Sequence, residues 1–552
     1  MDPETKDEAA CSLKILAPAA AGLTLLVFLV YGHTVFFGFL VNTDDQAYIF
    51  RNPYLRDLSL ENLLAIFTRV HFDSYLPATL TSYSADYTFW KYDPFGYHLT
   101  QVVLHAANSF LALAVLLLAG VSLPAALGTA AIYAVHPVHA ESVAWISERK
   151  NLLSGFFIFL SLIFYLLHAR GRSPKPANLT VSFFAFVMAL LSKPVAAVLP
   201  PALILLDLCV LKRGVRLMEK APYFGAALLA GAGVVYTQSG IGAIKEYAGG
   251  SPATALLFMA RVYWDYFWSL IFPFSLSPHY YYPRSVLWEW QSWMAYAAVP
   301  WAGVLAATRF RARPRFAFAA GWFFLWLLPV SNIVPLATLR QDRYLYLPSL
   351  AVVLFLTTAV LGGQRAAGPN GLESGGERRS SGAIPAWLFR SDARRGLLVL
   401  GVVGLLFCHW TIKYSHDYAS SGAFWKRAAD LYPRWSGAQF ESGYQCWIAE
   451  KADCAVHYYR RAISADPDNV QALGNLGALL IDQGHYSRAR PYLERALKAD
   501  PDDALTYYNL AVVAEKTGKD KDKIPEWLKR YEDLQARKEK KKDYRLGEFR
   551  FR

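Results

Sequence analysis

Apolar runs long enough to matter to a bilayer recur along most of this chain: 15–40, 99–119, 123–140, 151–168, 178–192, 195–211, 221–237, 292–308, 316–334, 345–361 and 396–413. A hydrocarbon core requires roughly 20 apolar residues per helical crossing. The pattern predicts an all-α polytopic membrane protein with about 11 transmembrane helices. Composition agrees: of 552 residues, 54% are hydrophobic and 18% charged, where a soluble chain carries more charge. The opening MDPETKDEAACSLK has no basic n-region, so the first helix is expected to stay as an anchor rather than be cleaved.

The net charge of +13 would suggest nucleic acid in a soluble protein; here it marks sidedness instead. Four connecting loops are basic: HARGRSPKPAN (168–178), KRGVRLMEK (212–220), TRFRARPR (308–315) and the long segment 362–395. The positive-inside bias puts them in the cytoplasm. Parity then places four other segments outside: the loop 42–98, ESVAWISERKN (141–151), LSKPV (191–195) and LRQDRYLYLPS (339–349). The segment 254–274 carries Arg261 and Asp265 in mid-run and is expected to be re-entrant or interfacial. The stretch 362–395, rich in Gly, Ser and Arg, reads as a cytoplasmic linker. No outward Asn-x-Ser/Thr sequon arises on this topology, which favours a bacterial inner membrane over an endoplasmic reticulum membrane.

Beyond residue 414 the composition turns soluble, and a period of 34 residues emerges. It relates Pro433, Pro467 and Pro501, then Ala428, Ala462 and Ala496, then Ala455 with Ala489 and Gly443 with Gly477. That period, with small residues where paired helices touch and a proline after the second helix, is the tetratricopeptide signature. Repeats are expected at 436–469, 470–503 and 504–537 after a lone helix near 420–432. The predicted domains are therefore 1–414 in the membrane, 415–537 as an extracytoplasmic α-solenoid, and a basic tail at 538–552. Cys446 and Cys454 could pair outside the cytoplasm; two unpaired thiols are the alternative.

Chemistry-bearing residues gather in the outer segments. Asp44 and Asp45 open the first outer loop, in FLVNTDDQAYIFRNPYL. A hydroxyl that attacks an activated sugar needs a carboxylate to take its proton; one acid could be this base, the other an orienter or metal ligand. Farther on, SLENLLAIFTRV places Leu60, Leu63, Leu64 and Phe67 on one face of a helix capped by Ser59, suited to the headgroup plane. Outward cations contradict the inside bias and need a cause: Arg149, Lys150, Lys193 and Arg343 could meet an anionic lipid phosphate. For Arg340 and Arg343, an ion pair with Asp342 is the alternative. His136, His139 and Glu141 could hold a divalent metal or contact substrate; structural histidines are the alternative. His98, His105 and Asn108 share a helical face and suit hydrogen bonds within the bundle. Aromatics at Trp145, Tyr280, Tyr281, Tyr282, Trp288 and Trp290 suit sugar rings and membrane interfaces alike.

TDDQAYIFRNPYL, YDPFGYHLTQVVLHAANS, AVHPVHAESVAWISERKNLLSG, LLSKPVAAVLP and QDRYLYLPS, followed by the repeats, resemble the bacterial relatives of the transmembrane and tetratricopeptide-repeat (TMTC) family, over nearly the whole chain. The resemblance implies a GT-C-class membrane glycosyltransferase of the O-mannosyltransferase kind. Such an enzyme uses a polyprenyl-phosphate-linked sugar and a protein acceptor, and has a catalytic acidic motif in its first outer loop, here Asp44 and Asp45. It implies membrane lipids as surroundings and no nucleic acid. A single displacement from a phosphate leaving group inverts the anomeric centre. Two other classes stay open: a membrane-anchored scaffold built on the repeats, and a lipid-linked-sugar flippase.

Overall fold

The structure, a computed structural model, describes residues 3–41, 43–72, 74–171, 175–240, 246–361 and 391–547. Most of the linker 362–395, and the side chains of the tail 538–552, lie outside the described residues. Helices dominate the rest; among the described residues, extended backbone pairs at one bridge, His71 with Ser74. The chain divides into two compact units, Met1–Leu276 with Tyr282–Ala419, and Ser277–Tyr281 with Ser420–Arg552.

In the first unit, the helices Leu16–Phe36, Pro94–Leu118, Ile146–Arg170, Pro194–Leu211 and Arg394–Tyr418 are long and apolar enough to cross a membrane. The chain is an integral membrane protein. Other apolar runs form shorter helices, among them Leu123–Val135, Pro176–Ser192 and Pro348–Val360. A helix of 13 residues reaches about 20 Å, short of the roughly 30 Å hydrocarbon core. Proline is the cause at two of these ends. Pro137 stops the run 123–140 and Pro194 follows Ser192 and Lys193, each removing a donor and forcing the preceding residue out of the helical region. The segment expected to be re-entrant or interfacial is a helix, Pro252–Ile271, capped by Ser251 and Thr254. Its mid-run charges neutralise each other: Arg261 bonds Asp265 at 2.9 Å and Glu289 at 3.0 Å.

Polar residues tie the bundle together. Asn108 donates to the Tyr346 hydroxyl at 2.9 Å, and His105 Nδ1 lies 2.9 Å from the same oxygen. Gly155 lets that ring approach, since a Cβ there would stand 3.0 Å from it. In the first loop the helix Leu60–Thr68 forms with Ser59 as its cap. Leu60, Leu64 and Phe67 are exposed and Leu63 half-buried, while Ala65 and Ile66 face inward.

The second unit is the solenoid. Helix Ser421–Leu431 precedes the pairs Ser436–Ile448 with Ala452–Ala465, Val470–Asp482 with Tyr486–Ala499, and Ala504–Thr517 with Ile524–Gly547. The periodic small residues sit where helices touch: Ala428, Ala455, Ala462, Ala489 and Ala496 are all fully buried. A Cβ on Gly443 would stand 2.7 Å from the Tyr459 ring, and one on Gly477 2.5 Å from Leu493. Cys446 and Cys454 are disulfide-bonded, so of the two options the pair is realised.

Candidate functional site

Four of the segments expected on the outer side, distant in sequence, meet at one end of the first unit, and proline and short helical turns aim their side chains. Pro137 follows the end of the apolar helix Leu123–Val135, and the chain then runs through the short turns Ala140–Ala144 and Ile146–Glu148 before helix Arg149–Arg170 begins. Glu148 stands at the start of that helix, where the unpaired N–H groups favour an acid. Lys193 precedes Pro194 and adopts extended backbone. Arg343 belongs to the turn Asp342–Leu345, just before helix Pro348–Val360.

Asp45 is 1% exposed. One of its oxygens accepts from the Leu40 N–H at 2.8 Å. The other accepts from Trp145 Nε1 and the Ser147 N–H, both at 3.0 Å, and from the Ser147 hydroxyl. All these partners are donors, so the arrangement calls for the anion. Burial nonetheless pushes the carboxyl up to about 6, against the pull of those hydrogen bonds. Asp45 is thus a buried clasp between the first loop and the segment 145–147.

Asp44 has the opposite environment. Its side chain is 33% exposed and lies 3.2 Å from Lys150 Nζ. Lys150 also reaches Glu148 at 3.3 Å, with its ammonium over the Tyr48 ring. Glu148 is the hub of the cluster. Besides Lys150 it neighbours Arg343 at 3.4 Å and Lys193 at 3.6 Å, and it accepts from Asn151 Nδ2 at 2.8 Å. Asn151 in turn accepts from Lys193 Nζ at 2.6 Å. Glu141 completes the set, bonding the Arg343 guanidinium at 2.9 Å and its N–H at 2.8 Å. Burial pushes Glu141 up to about 8 and pulls Lys193 down to about 8, in each case against neighbouring opposite charges. A cavity of about 30 Å³, lined by Asn151, Ser154, Lys193, Arg343, Tyr344 and Tyr346, adjoins the cluster; it has room for water rather than for a sugar.

The cations that break the expected inside bias therefore have partners within the protein: Lys150, Lys193 and Arg343 share Asp44, Glu141 and Glu148. Arg149 does not join them. It is fully buried, ion-paired with Asp86, and donates to the Tyr97 carbonyl at 2.8 Å. Arg340 pairs with Asp265 at 3.6 Å and stands 3.9 Å from Asp342. His136 and His139 point elsewhere, to the Leu270 carbonyl at 3.0 Å and the Ser349 hydroxyl at 3.0 Å. Among the described residues no group of three or more His, Cys, Asp or Glu could hold a metal ion. The aromatics also divide. Trp145 is 6% exposed and lies beneath Arg343, Tyr281 stacks on Trp435, and Tyr282 donates to Asp265. Trp288 and Trp290 remain exposed. Glu148 falls in the same polar stretch as Glu141, Arg149 and Lys150, with no role of its own assigned from the sequence, and Asn151 was not singled out. Part of the signal was in the string ERKN: a buried acid next to cations needs a charged partner, and Lys150, not Arg149, is the neighbour in that string that it meets.

A tetratricopeptide-repeat family model matches residues 447–521. The chain is similar to Protein O-mannosyl-transferase Tmtc1 of Drosophila melanogaster, 32% identical over 203 residues, which is 34% of this chain and 22% of that protein. It is similar to Protein O-mannosyl-transferase tmtc2 of Xenopus laevis, 36% identical over 101 residues, 18% of this chain and 12% of that protein. It is also similar to Protein O-mannosyl-transferase TMTC3 of Homo sapiens, 32% identical over 120 residues, 20% of this chain and 12% of that protein. The alignments thus span about a fifth or less of these relatives, and cover less of the chain than its motifs led one to expect. The chain is a membrane protein with tetratricopeptide repeats, distantly related to the TMTC O-mannosyltransferases.

Proposed function

We propose that the chain is an extracytoplasmic GT-C-type glycosyltransferase of about eleven crossings, in a bacterial inner membrane with its repeats in the periplasm. It moves a monosaccharide from a polyprenyl-phosphate donor to a protein hydroxyl, with inversion, and the repeats hold the acceptor. The observation that carries this reading is the division of labour within the acid pair. Asp45 is sealed in by donors, whereas Asp44 is reachable and stands beside a cluster of cations.

In this mechanism Asp44 takes the proton of the acceptor hydroxyl as the new C–O bond forms at the anomeric carbon. The bond to the phosphate oxygen breaks on the opposite face, and its electron pair leaves with the lipid phosphate. Lys150, Lys193 and Arg343 stabilise that developing charge. Because Lys150 is shared with Asp44 at 3.2 Å, an arriving phosphate draws it away and frees the base. Arg149 has no part in donor binding, since Asp86 holds it. His136 and His139 brace the bundle, and Glu141 orients Arg343. The distant likeness to O-mannosyltransferases supports the reaction class.

The test is intact-mass spectrometry of envelope proteins from cells carrying the wild-type chain, a deletion, or Asp44→Asn with Asp45→Asn. A hexose-sized mass present with the wild type and missing from both others is expected. Unchanged masses throughout would refute transfer to protein and leave the scaffold reading in its place.

A further inference from the structure

At the other end of helix Arg149–Arg170, 22 residues and so about 33 Å from the acid cluster, lies a second charged site that the proposed transfer does not use. Two of the basic loops meet there around a cavity of about 450 Å³. Its walls include Arg170, Arg213, Arg216, His168 and Glu219, with Val210 and Leu211 on an apolar side. The charged wall is built on a buried foundation. Asp207, fully buried, accepts from Lys220 Nζ at 2.6 Å, from Arg213 Nε at 2.8 Å and from the Tyr165 hydroxyl at 2.8 Å. Arg213 also bonds Glu219 at 3.0 Å, so its guanidinium is held in place before any ligand arrives.

Charge does not balance at this site. Among the described residues, Arg170, Arg213, Arg216 and Lys220 stand against Asp207 and Glu219, an excess of two cations. The backbone supports that crowding: Lys212 and Arg216 both adopt positive φ, 53° and 45°, a conformation unfavourable for residues with a Cβ and retained where the surroundings demand it. The next two residues, Leu217 and Met218, are 61% and 87% exposed. A rigid arginine set, an excess of positive charge and the apolar side formed by Val210 and Leu211, at the ends of two helices long enough to cross a membrane, match one kind of ligand. It is an anionic phosphate group carried by an amphiphile.

We infer that this cavity binds the phosphate group of an anionic phospholipid on the face where the basic loops lie. Native mass spectrometry of the full chain, released from detergent with added phosphatidylglycerol, phosphatidylcholine or inorganic phosphate, tests it. Wild type is expected to retain phosphatidylglycerol over phosphatidylcholine, and Arg170→Gln with Arg216→Gln to weaken that adduct about tenfold or more. Arg216→Glu alone, at a side chain 59% exposed, guards against a folding failure and is expected to act in the same direction. Arg311→Gln with Arg315→Gln removes equal charge from another basic loop and is expected to leave the adduct intact. If inorganic phosphate displaces the lipid, the site reads the phosphate alone; if the lipid persists, the acyl chains contribute. Equal lipid retention in the wild type and both cavity variants would overturn the inference, as would equal loss in the Arg311 and Arg315 control.

Discussion

The Lys150 ammonium lies 3.2 Å from the Asp44 carboxylate and 3.3 Å from that of Glu148, so one cation links the accessible acid to the buried hub. A base held this way is available only when the cation has somewhere else to go. That makes the proposed base and the proposed phosphate site a single unit, and their variants should not behave independently.

Asp44→Asn is expected to lower transfer by a factor of about 10² to 10⁴, the usual worth of a general base, with membrane insertion and thermal stability near wild type. The comparison is hexose incorporation per molecule of membrane-extracted protein. Normal incorporation in a well-expressed variant would remove Asp44 from the mechanism.

Asp45→Ala should act mainly on stability. It leaves the Leu40 and Ser147 N–H groups and Trp145 Nε1 without their acceptor, and a buried donor left unpaired costs about 1–3 kcal/mol. A lowered thermal midpoint in detergent, with a changed Trp145 environment by fluorescence, is the expected result. An unchanged midpoint would show that the clasp is not structural.

Asp45 and Lys193 predict a bell-shaped pH profile for transfer. Activity should rise as pH passes through about 6, where Asp45 becomes the anion its donors require, and fall above about 8 as Lys193 loses its proton. Stability should respond to Asp45 with the opposite sign. Its folded pKa lies above the ordinary 3.8, so the folded state binds the proton more tightly. That stabilisation is complete below the ordinary value and is lost as pH rises through about 6, on the order of 2–3 kcal/mol. Thermal midpoints and initial rates across pH 4 to 9 would reveal both trends, and Asp45→Asn should abolish the lower limb of each.

Glu148→Gln leaves Lys150, Lys193 and Arg343 around a neutral amide, and breaking a buried ion cluster in this way costs about 3–5 kcal/mol. Adding Lys193→Met should restore part of that loss, because it removes one of the cations left without its partner. A double-mutant cycle on thermal stability measures the coupling; strictly additive losses would mean that the 3.6 Å contact carries no energy.

In the solenoid, Gly477→Ala should destabilise the second repeat by about 1–3 kcal/mol, because its Cβ would meet Leu493 at 2.5 Å. Faster proteolysis within residues 470–503 of the full chain is the readout. Gly484→Ala, where nothing lies within 4 Å but φ is +74°, separates crowding from backbone strain.

The sequence alone determined the features that depend on periodicity and sums. Apolar run length marked the helices long enough to cross a membrane along with several that are too short, the 34-residue period located the repeat helices closely, and the segments carrying Asp44, Glu148, Lys193 and Arg343 meet as one cluster. Only tertiary structure decided what each charge does. Arg149 and Lys150 are neighbours in the chain, yet about 100° apart around a helix of 3.6 residues per turn. One therefore turns to Asp86 inside the bundle and the other to Asp44 at its edge. Asp44 and Asp45 part in the same way, one reachable and one enclosed. A string of residues does not reveal which side of a helix or turn will be packed, because that depends on partners distant in the chain, 63 residues away for Arg149 and 106 for Lys150. For buried charge, those partners set the energy.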